Sequence, residues 1–194
     1  MNEAGRHFEE RSAVFEALRK ITDKLDSLKI PYAVAGGMAL FAHGYHRFTE
    51  DVDILVQRGD LAKIHESLEG LGYLPPFAQS KNLRDTELGV RIEFLLTGDF
   101  PGDGKPKPVA FPNPGDAPVS VEMGGIKFLS LPMLIELKLA SGQTNPARLR
   151  DIADVLELIG LLKLDEGFAE RLNPFVWEKF GELVKVRRES NEKL

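Results

Sequence analysis

The chain has 194 residues, 43 % hydrophobic and 28 % charged, with a net charge of −5 and no cysteine. That supplies a core for one domain with a helical appendage, and it excludes disulfides, thiolate metal sites and cysteine nucleophiles. It also argues against a general nucleic-acid binder, because phosphate neutralisation needs clustered Lys and Arg. No apolar run is long enough to span a membrane, and the first twenty residues are charged throughout with no apolar signal core, so a cytoplasmic protein is expected.

Residues 7–28 carry apolar positions at Phe8, Val14, Leu18, Ile21 and Leu25, a helical spacing with a charged opposite face. Residues 30–35 form a short apolar run that ends in Gly36-Gly37 and predict a buried strand. Residues 38–43 predict a short helix, 51–56 a second strand, and 60–68 a helix with Asp60 as N-cap and Gly70 as terminator. Residues 87–96 predict a longer strand. Residues 98–118 hold four glycines and six prolines and predict a long loop. Two runs flanking Gly124-Gly125 predict a hairpin over 119–129. Ser130 caps a helix with Pro132 in its first turn, which ends at Gly142. Asn145-Pro146 opens a helix to Gly160 with an apolar stripe at Leu149, Ile152, Ala153, Leu156 and Ile159, and further helix covers 166–188. The order of elements predicts an α/β (α+β) fold, a mixed sheet with helices packed on it.

The chemistry concentrates in residues 32–56. A strand ends in two glycines and a short helix follows, so backbone can approach a ligand and free N–H groups can face a phosphate. A glycine pair is also what a tight strand-to-helix turn requires. Asp51 and Asp53 lie two apart on a strand and therefore share one face. Side-by-side carboxylates repel unless compensated, and a divalent cation does this directly. Mg²⁺ takes one or two carboxylates and completes its shell with water and phosphate oxygens. A solvated strand end would show the same pair. Glu93 shares its face with Arg91 and Leu95, while Ile92, Phe94 and Leu96 supply the core face. If the two strands pair, three acids converge, and such a triplet can hold two metal ions. Glu122, at a hairpin end, is the runner-up for the third acid.

The segment AGGMALFAHGYHRFTEDVDILV resembles the DNA polymerase β-like nucleotidyltransferase superfamily. That pattern has a glycine pair or Gly-Ser at a helix start, a spacer, an acid-x-acid strand and a later third acid. More narrowly it looks like the AbiEii-type (MenT-like) toxin nucleotidyltransferases, whose Arg-x-Thr-x-Asp-x-Asp is met here by Arg47, Thr49, Asp51 and Asp53. Downstream, LSLPMLIELKLASG and ARLRDIADVLELI are similar to two helices of that branch, which places Lys138, Arg148, Asp151 and Asp154 at its functional positions. The likeness covers roughly residues 30–160. Gly37 replaces a serine common in the superfamily, Glu93 stands where aspartate is more usual, and Arg150 takes the place of a lysine.

The resemblance implies a single domain over 1–194, with a core at about 28–130 and a helical part at about 131–190. It implies a mixed-sheet nucleotidyltransferase core flanked by helices, with the C-terminal helices packed over it. It also implies transfer of a nucleoside monophosphate from an NTP to an acceptor hydroxyl. Asp51, Asp53 and Glu93 would hold Mg²⁺ or Mn²⁺. Gly36, Gly37, Arg47 and Thr49 would serve the nucleotide, Lys138 would contact the triphosphate, and Asp151 would fix Lys138 or set the acceptor side. The toxin-like branch implies an RNA acceptor, tRNA first, and a cognate antitoxin as protein partner. A second enzyme reading is a small-molecule nucleotidyltransferase, similar to those that modify lincosamides or aminoglycosides. A third is a nucleotide-binding or interaction module without catalysis.

Periodicity by itself puts Lys138 at a helix edge and Arg148, Asp151 and Asp154 on a solvated face opposite the apolar stripe. His43 and His46 lie near the expected pocket without a metal-ligand spacing, and His7 and His65 read as surface residues. Arg148 with Arg150, and Lys185 with Arg187 and Arg188, form two small basic groups; the second reads as a solvated helix face.

Overall fold

In a computed structural model, backbone is described for residues 3–191 and side chains for 13–190. Phe8 and His7 lie outside the described side chains. Six helices and seven strands are described: α1 (Glu3–Ser27), β1 (Tyr32–Val34), α2 (Gly36–Ala42), β2 (Asp51–Val56), α3 (Leu61–Leu68), β3 (Tyr73–Leu74), β4 (Leu83–Asp85), β5 (Arg91–Leu96), β6 (Ser120–Met123), β7 (Ile126–Leu129), α4 (Leu131–Thr144), α5 (Leu149–Leu162) and α6 (Trp177–Asn191). Short 3-10 turns precede α3, α5 and α6. No described helix is long and apolar enough to cross a membrane.

The strands form one mixed sheet in the order β3-β4-β5-β2-β1-β7-β6. β2 runs antiparallel to β1 and parallel to β5, and β1 runs parallel to β7. The short strands β3 and β4 at one edge were not evident in the sequence, and β5 begins four residues later than its apolar pattern suggests. The reason is a turn before Arg91: the Asp85 carboxylate accepts the N–H groups of Glu87 and Leu88, and Gly89 adopts a φ of +72°.

The chain divides into two compact units. The first holds α1, α2, the whole sheet and α3. Its core is built from alternating inward residues, Val52 and Ile54 of β2 with Ile92 and Phe94 of β5, all fully buried. Burying a side chain such as Phe94 contributes about 1.5–3 kcal/mol. α1 contributes Ala17, Leu18, Ile21 and Leu25, each with no exposure, as the helical spacing predicts. Two polar ties fix α1 across the sheet. Lys20 pairs with Asp85 of β4 at 3.0 Å, and Asp26 accepts from Lys127 of β7 at 2.8 Å and from the Tyr32 hydroxyl of β1 at 3.1 Å. Hydrogen bonds that the Lys20 ammonium donates to Glu87 and then to Asp85 hold it above the usual lysine range.

The second unit comprises residues 43–45, 98–111 and 130–194. The glycine- and proline-rich stretch divides between the units. Its first part is tied back on itself, with Gly98 N–H donating to the Phe111 carbonyl and Phe111 N–H to that of Asp99. It is also fastened to α4: the Asn145 amide donates to the Gly102 carbonyl at 3.1 Å. The Cα of Gly102 lies so near the Ser141 carbonyl that a Cβ would sit 2.6 Å from it. Asn145 caps the next turn by accepting the Ala147 N–H, whereas Ser130 and Asp60 occupy N-cap positions without a side-chain cap bond.

The apolar stripe expected on α5 is rotated in the structure. Asp154, Val155, Leu158 and Ile159 are the buried residues, while Leu149 is 69 % exposed. A buried carboxylate therefore sits where periodicity seeks an apolar group. The basic group on α6 is ion-paired, Arg187 with Glu157 at 3.7 Å and Arg188 with Glu166 at 3.4 Å. Arg187 also lies over Gly160, whose missing side chain leaves room for the guanidinium.

Candidate active site

Parallel pairing of β2 with β5 sets Asp51 opposite Arg91 and Asp53 opposite Glu93. Side chains alternate along both strands, so Asp51, Asp53, Arg91 and Glu93 share one face of the sheet. Burial agrees: Val52, Ile92 and Phe94 are fully buried on the opposite face, while Asp51, Asp53 and Glu93 keep intermediate exposure. Glu122 is on β6, at the sheet edge three strands from β2, and is exposed. It is thereby removed as an alternative third acid.

The glycine pair is explained by β2. The Ala35 N–H donates to the Asp53 carbonyl at 2.8 Å, bringing the strand end against Asp53. A Cβ at Gly36 would lie 1.8 Å from Asp53 Oδ2, and Gly36 has a φ of +56°. A Cβ at Gly37 would lie 2.6 Å from Thr49 Oγ1. Both glycines are thus required to seat the side chains of Asp53 and Thr49 against the start of α2. A serine at position 37 would collide with Thr49.

Thr49 in turn orients Asp51, its hydroxyl donating to Asp51 Oδ1 at 3.1 Å. The other oxygen, Oδ2, meets Arg91 Nη2 at 3.3 Å, and the same nitrogen meets Glu93 Oε1 at 3.1 Å. Arg91 thus bridges two of the three acids. Arg47 donates to the Phe48 carbonyl at 3.0 Å. His46 stacks on Phe41, with ring centroids 4.2 Å apart, and His65 pairs with Glu69 at 2.5 Å and the Lys81 carbonyl at 3.1 Å.

Among the described residues, no three His, Asp or Glu side chains are drawn into a group that could already hold a metal ion. Arg91 contacts two of the three acids, Asp51 and Glu93. The donor set nevertheless fits a hard divalent cation. It is all carboxylate oxygen, Mg²⁺ needs only one or two such groups, and the guanidinium between Asp51 and Glu93 shows that this spot stabilises positive charge.

The second unit carries the other expected residues. Lys138 is 7 % exposed, and its ammonium donates to Asp151 Oδ1 at 2.8 Å and Asp154 Oδ2 at 2.7 Å. The Ser141 hydroxyl donates to Asp151 Oδ2 at 2.7 Å. Lys138 and Asp154 are therefore buried and mutually compensated, correcting the surface positions that periodicity assigned them. Ser141, one helical turn beyond Lys138, is a network member that sequence reasoning missed. Arg148 and Arg150 are exposed at the start of α5. On α4, burial raises the Glu136 carboxyl, and the Asn173 N–H donated to it at 2.6 Å offsets part of that shift.

Neither family models nor curated proteins match the sequence. Solved structures do match the fold. ANT(2")-Ia, in complex with adenylyl-2"-tobramycin, superposes with a TM-score of 0.51 at 14 % identity, over 91 % of this chain and 97 % of that one. A Helicobacter pylori protein proposed to be a nucleotidyltransferase superposes with a TM-score of 0.52 at 13 % identity, over 100 % of this chain and 98 % of that one. The chain has the fold seen in nucleotidyltransferases. At these identities the likeness concerns architecture, a mixed α/β sheet flanked by helices; the acid face and its glycine turn are features of this chain's own geometry.

Proposed function

We propose that the chain transfers a nucleoside monophosphate from an NTP to an acceptor hydroxyl. The observation that carries this reading is the β2–β5 register, which sets Asp51, Asp53 and Glu93 on one sheet face in a fold that nucleotidyltransferases share. In the reaction the acceptor oxygen bonds to the α-phosphorus, the bond from that phosphorus to the β-phosphate oxygen breaks, and pyrophosphate leaves. Bound between these carboxylates, Mg²⁺ or Mn²⁺ would neutralise phosphate charge and lower the pKa of the attacking hydroxyl. The chain's own residues position and accept. One carboxylate takes the hydroxyl proton, Thr49 holds Asp51 in orientation, and the Gly36-Gly37 turn and Arg47 face the phosphates. The resemblance assigns Lys138 to the triphosphate, and within the second unit Asp151 and Asp154 hold its ammonium. Phosphoryl-type transfer depends mainly on such positioning and electrostatics.

For the acceptor, the resemblance to the toxin-like branch favours RNA, tRNA first, with an antitoxin as regulator and the cytoplasm as the place of action. A small-molecule acceptor is the second reading. It is supported by the fold likeness to ANT(2")-Ia, which extends over nearly all of both chains, and by a net charge of −5 that suits a cationic acceptor. Incubation with each labelled NTP, Mg²⁺ and either total tRNA or an aminoglycoside mixture separates the two by where label appears. Asp53→Ala should abolish transfer and retain the folded circular-dichroism spectrum. Full activity in that variant, or no label on any acceptor from the wild type, leaves the non-catalytic module.

A further inference from the structure

Arg91 is anchored on β5 directly across from Asp51 and two residues before Glu93, so its side chain is committed to the acid face. One nitrogen, Nη2, reaches both carboxylates, at 3.3 and 3.1 Å. With Thr49 on Oδ1, both oxygens of Asp51 already have partners within the protein. This is not the two-bond fork that makes arginine–carboxylate pairs strong. The Arg91 side chain is 49 % exposed, so solvent screens its pairing.

We propose that Arg91 is a built-in counter-cation, a displaceable latch that neutralises Asp51 and Glu93 in the resting protein and competes with the divalent cation for them. The proposal rests on the metal role assigned to these acids under the proposed function. A metal entering between Asp51 and Glu93 has to break at least one contact of Nη2, because the two positive charges repel and seek the same oxygens. The latch is weak enough to open and close enough to return, being tethered to a strand that pairs along its whole length with β2. It lowers the metal affinity of the empty site and makes loading easier once further negative charge, such as a triphosphate, draws the guanidinium away.

The test is a titration of the full chain with Mn²⁺, without nucleotide, at low ionic strength, following free Mn²⁺ by electron paramagnetic resonance. Arg91→Gln should bind Mn²⁺ about three- to tenfold more tightly than the wild type, a gain set by the loss of two screened ion pairs. Arg91→Lys should fall between, and it carries the test if the glutamine variant does not fold. Arg84→Gln is the control for bulk charge. Arg84 is the register partner of Arg91 on β4, but it donates to the Gly89 carbonyl rather than to the acids, so its removal should leave affinity within about twofold. A melting curve in EDTA gives a second readout: Arg91→Gln should melt below the wild type and gain more on adding Mn²⁺. Equal affinity in Arg91→Gln and wild type, or an equal gain in Arg84→Gln, overturns the latch and leaves the metal site standing. Absence of Mn²⁺ binding at millimolar concentration in both wild type and Arg91→Gln overturns the metal site itself, and the latch with it.

Discussion

Gly36 and Asp53 are in steric contact: a methyl group added to the glycine would sit 1.8 Å from the carboxylate oxygen Oδ2. The glycine is therefore part of the mould that sets the direction of the acid. Its backbone, at a φ of +56°, lies where other residues are disfavoured by about 1–2 kcal/mol.

Gly36→Ala should consequently lower the melting temperature and displace Asp53. A shift of about 1 Å in a reacting group can reduce rate by about a hundredfold, so transfer in the folded variant should fall by about that factor. Steady-state rates beside a melting curve check both parts. A variant that keeps full activity would show that Asp53 does not need the position this contact imposes.

Lys138→Ala should be destabilising by about 3 kcal/mol, because it leaves the carboxylates of Asp151 and Asp154 facing each other with no cation in a largely buried site. Replacing Lys138 by Met and Asp154 by Leu together should recover much of that loss, since an apolar pair needs no compensation. Denaturant unfolding measures both. The sequence pattern alone, with Lys138 at a helix edge, anticipates almost no loss, so the result decides between the two placements.

Asp85→Asn addresses pH. Desolvation pushes the Asp85 carboxyl upward, but the N–H groups of Leu88 and Glu87 and the Lys20 ammonium outweigh it, and its pKa ends below the ordinary 3.8. A depressed folded-state pKa means the folded chain holds fewer protons than the unfolded one. The stability gain is thus present above pH 3.8 and is lost as pH falls through the lower folded value. Asp85→Asn should melt below the wild type at neutral pH, by the equivalent of about 1–3 kcal/mol. The gap should close in acid below that value. A gap that stays constant into acid would remove Asp85 ionisation as its cause.

Much of the acid face was legible because it follows local rules. The span of β2 and the shared face of Asp51 and Asp53 come from strand alternation and from the glycines that precede it. The pairing of Glu93 with Asp53 required the register of two strands far apart in sequence, which no local pattern encodes. α5 was misread for a different reason. A helix stripe is found by its apolar residues, and here Asp154 occupies the buried face because Lys138 of another helix neutralises it. The partnership of Thr49 with Gly37 was equally hidden, since it is a matter of volume rather than of pattern.

The acids of β2 and β5 are joined across about forty residues of intervening chain. A folding chain gains little from such a contact until the entropy of closing that loop has been met. The α1 helix can form early from local contacts, but the carboxylate face cannot exist before the central strands have docked. A nascent chain that has not yet emerged beyond Leu96 carries Asp51 and Asp53 without their strand neighbour. The assembled carboxylate face, on this architecture, is a late product of folding.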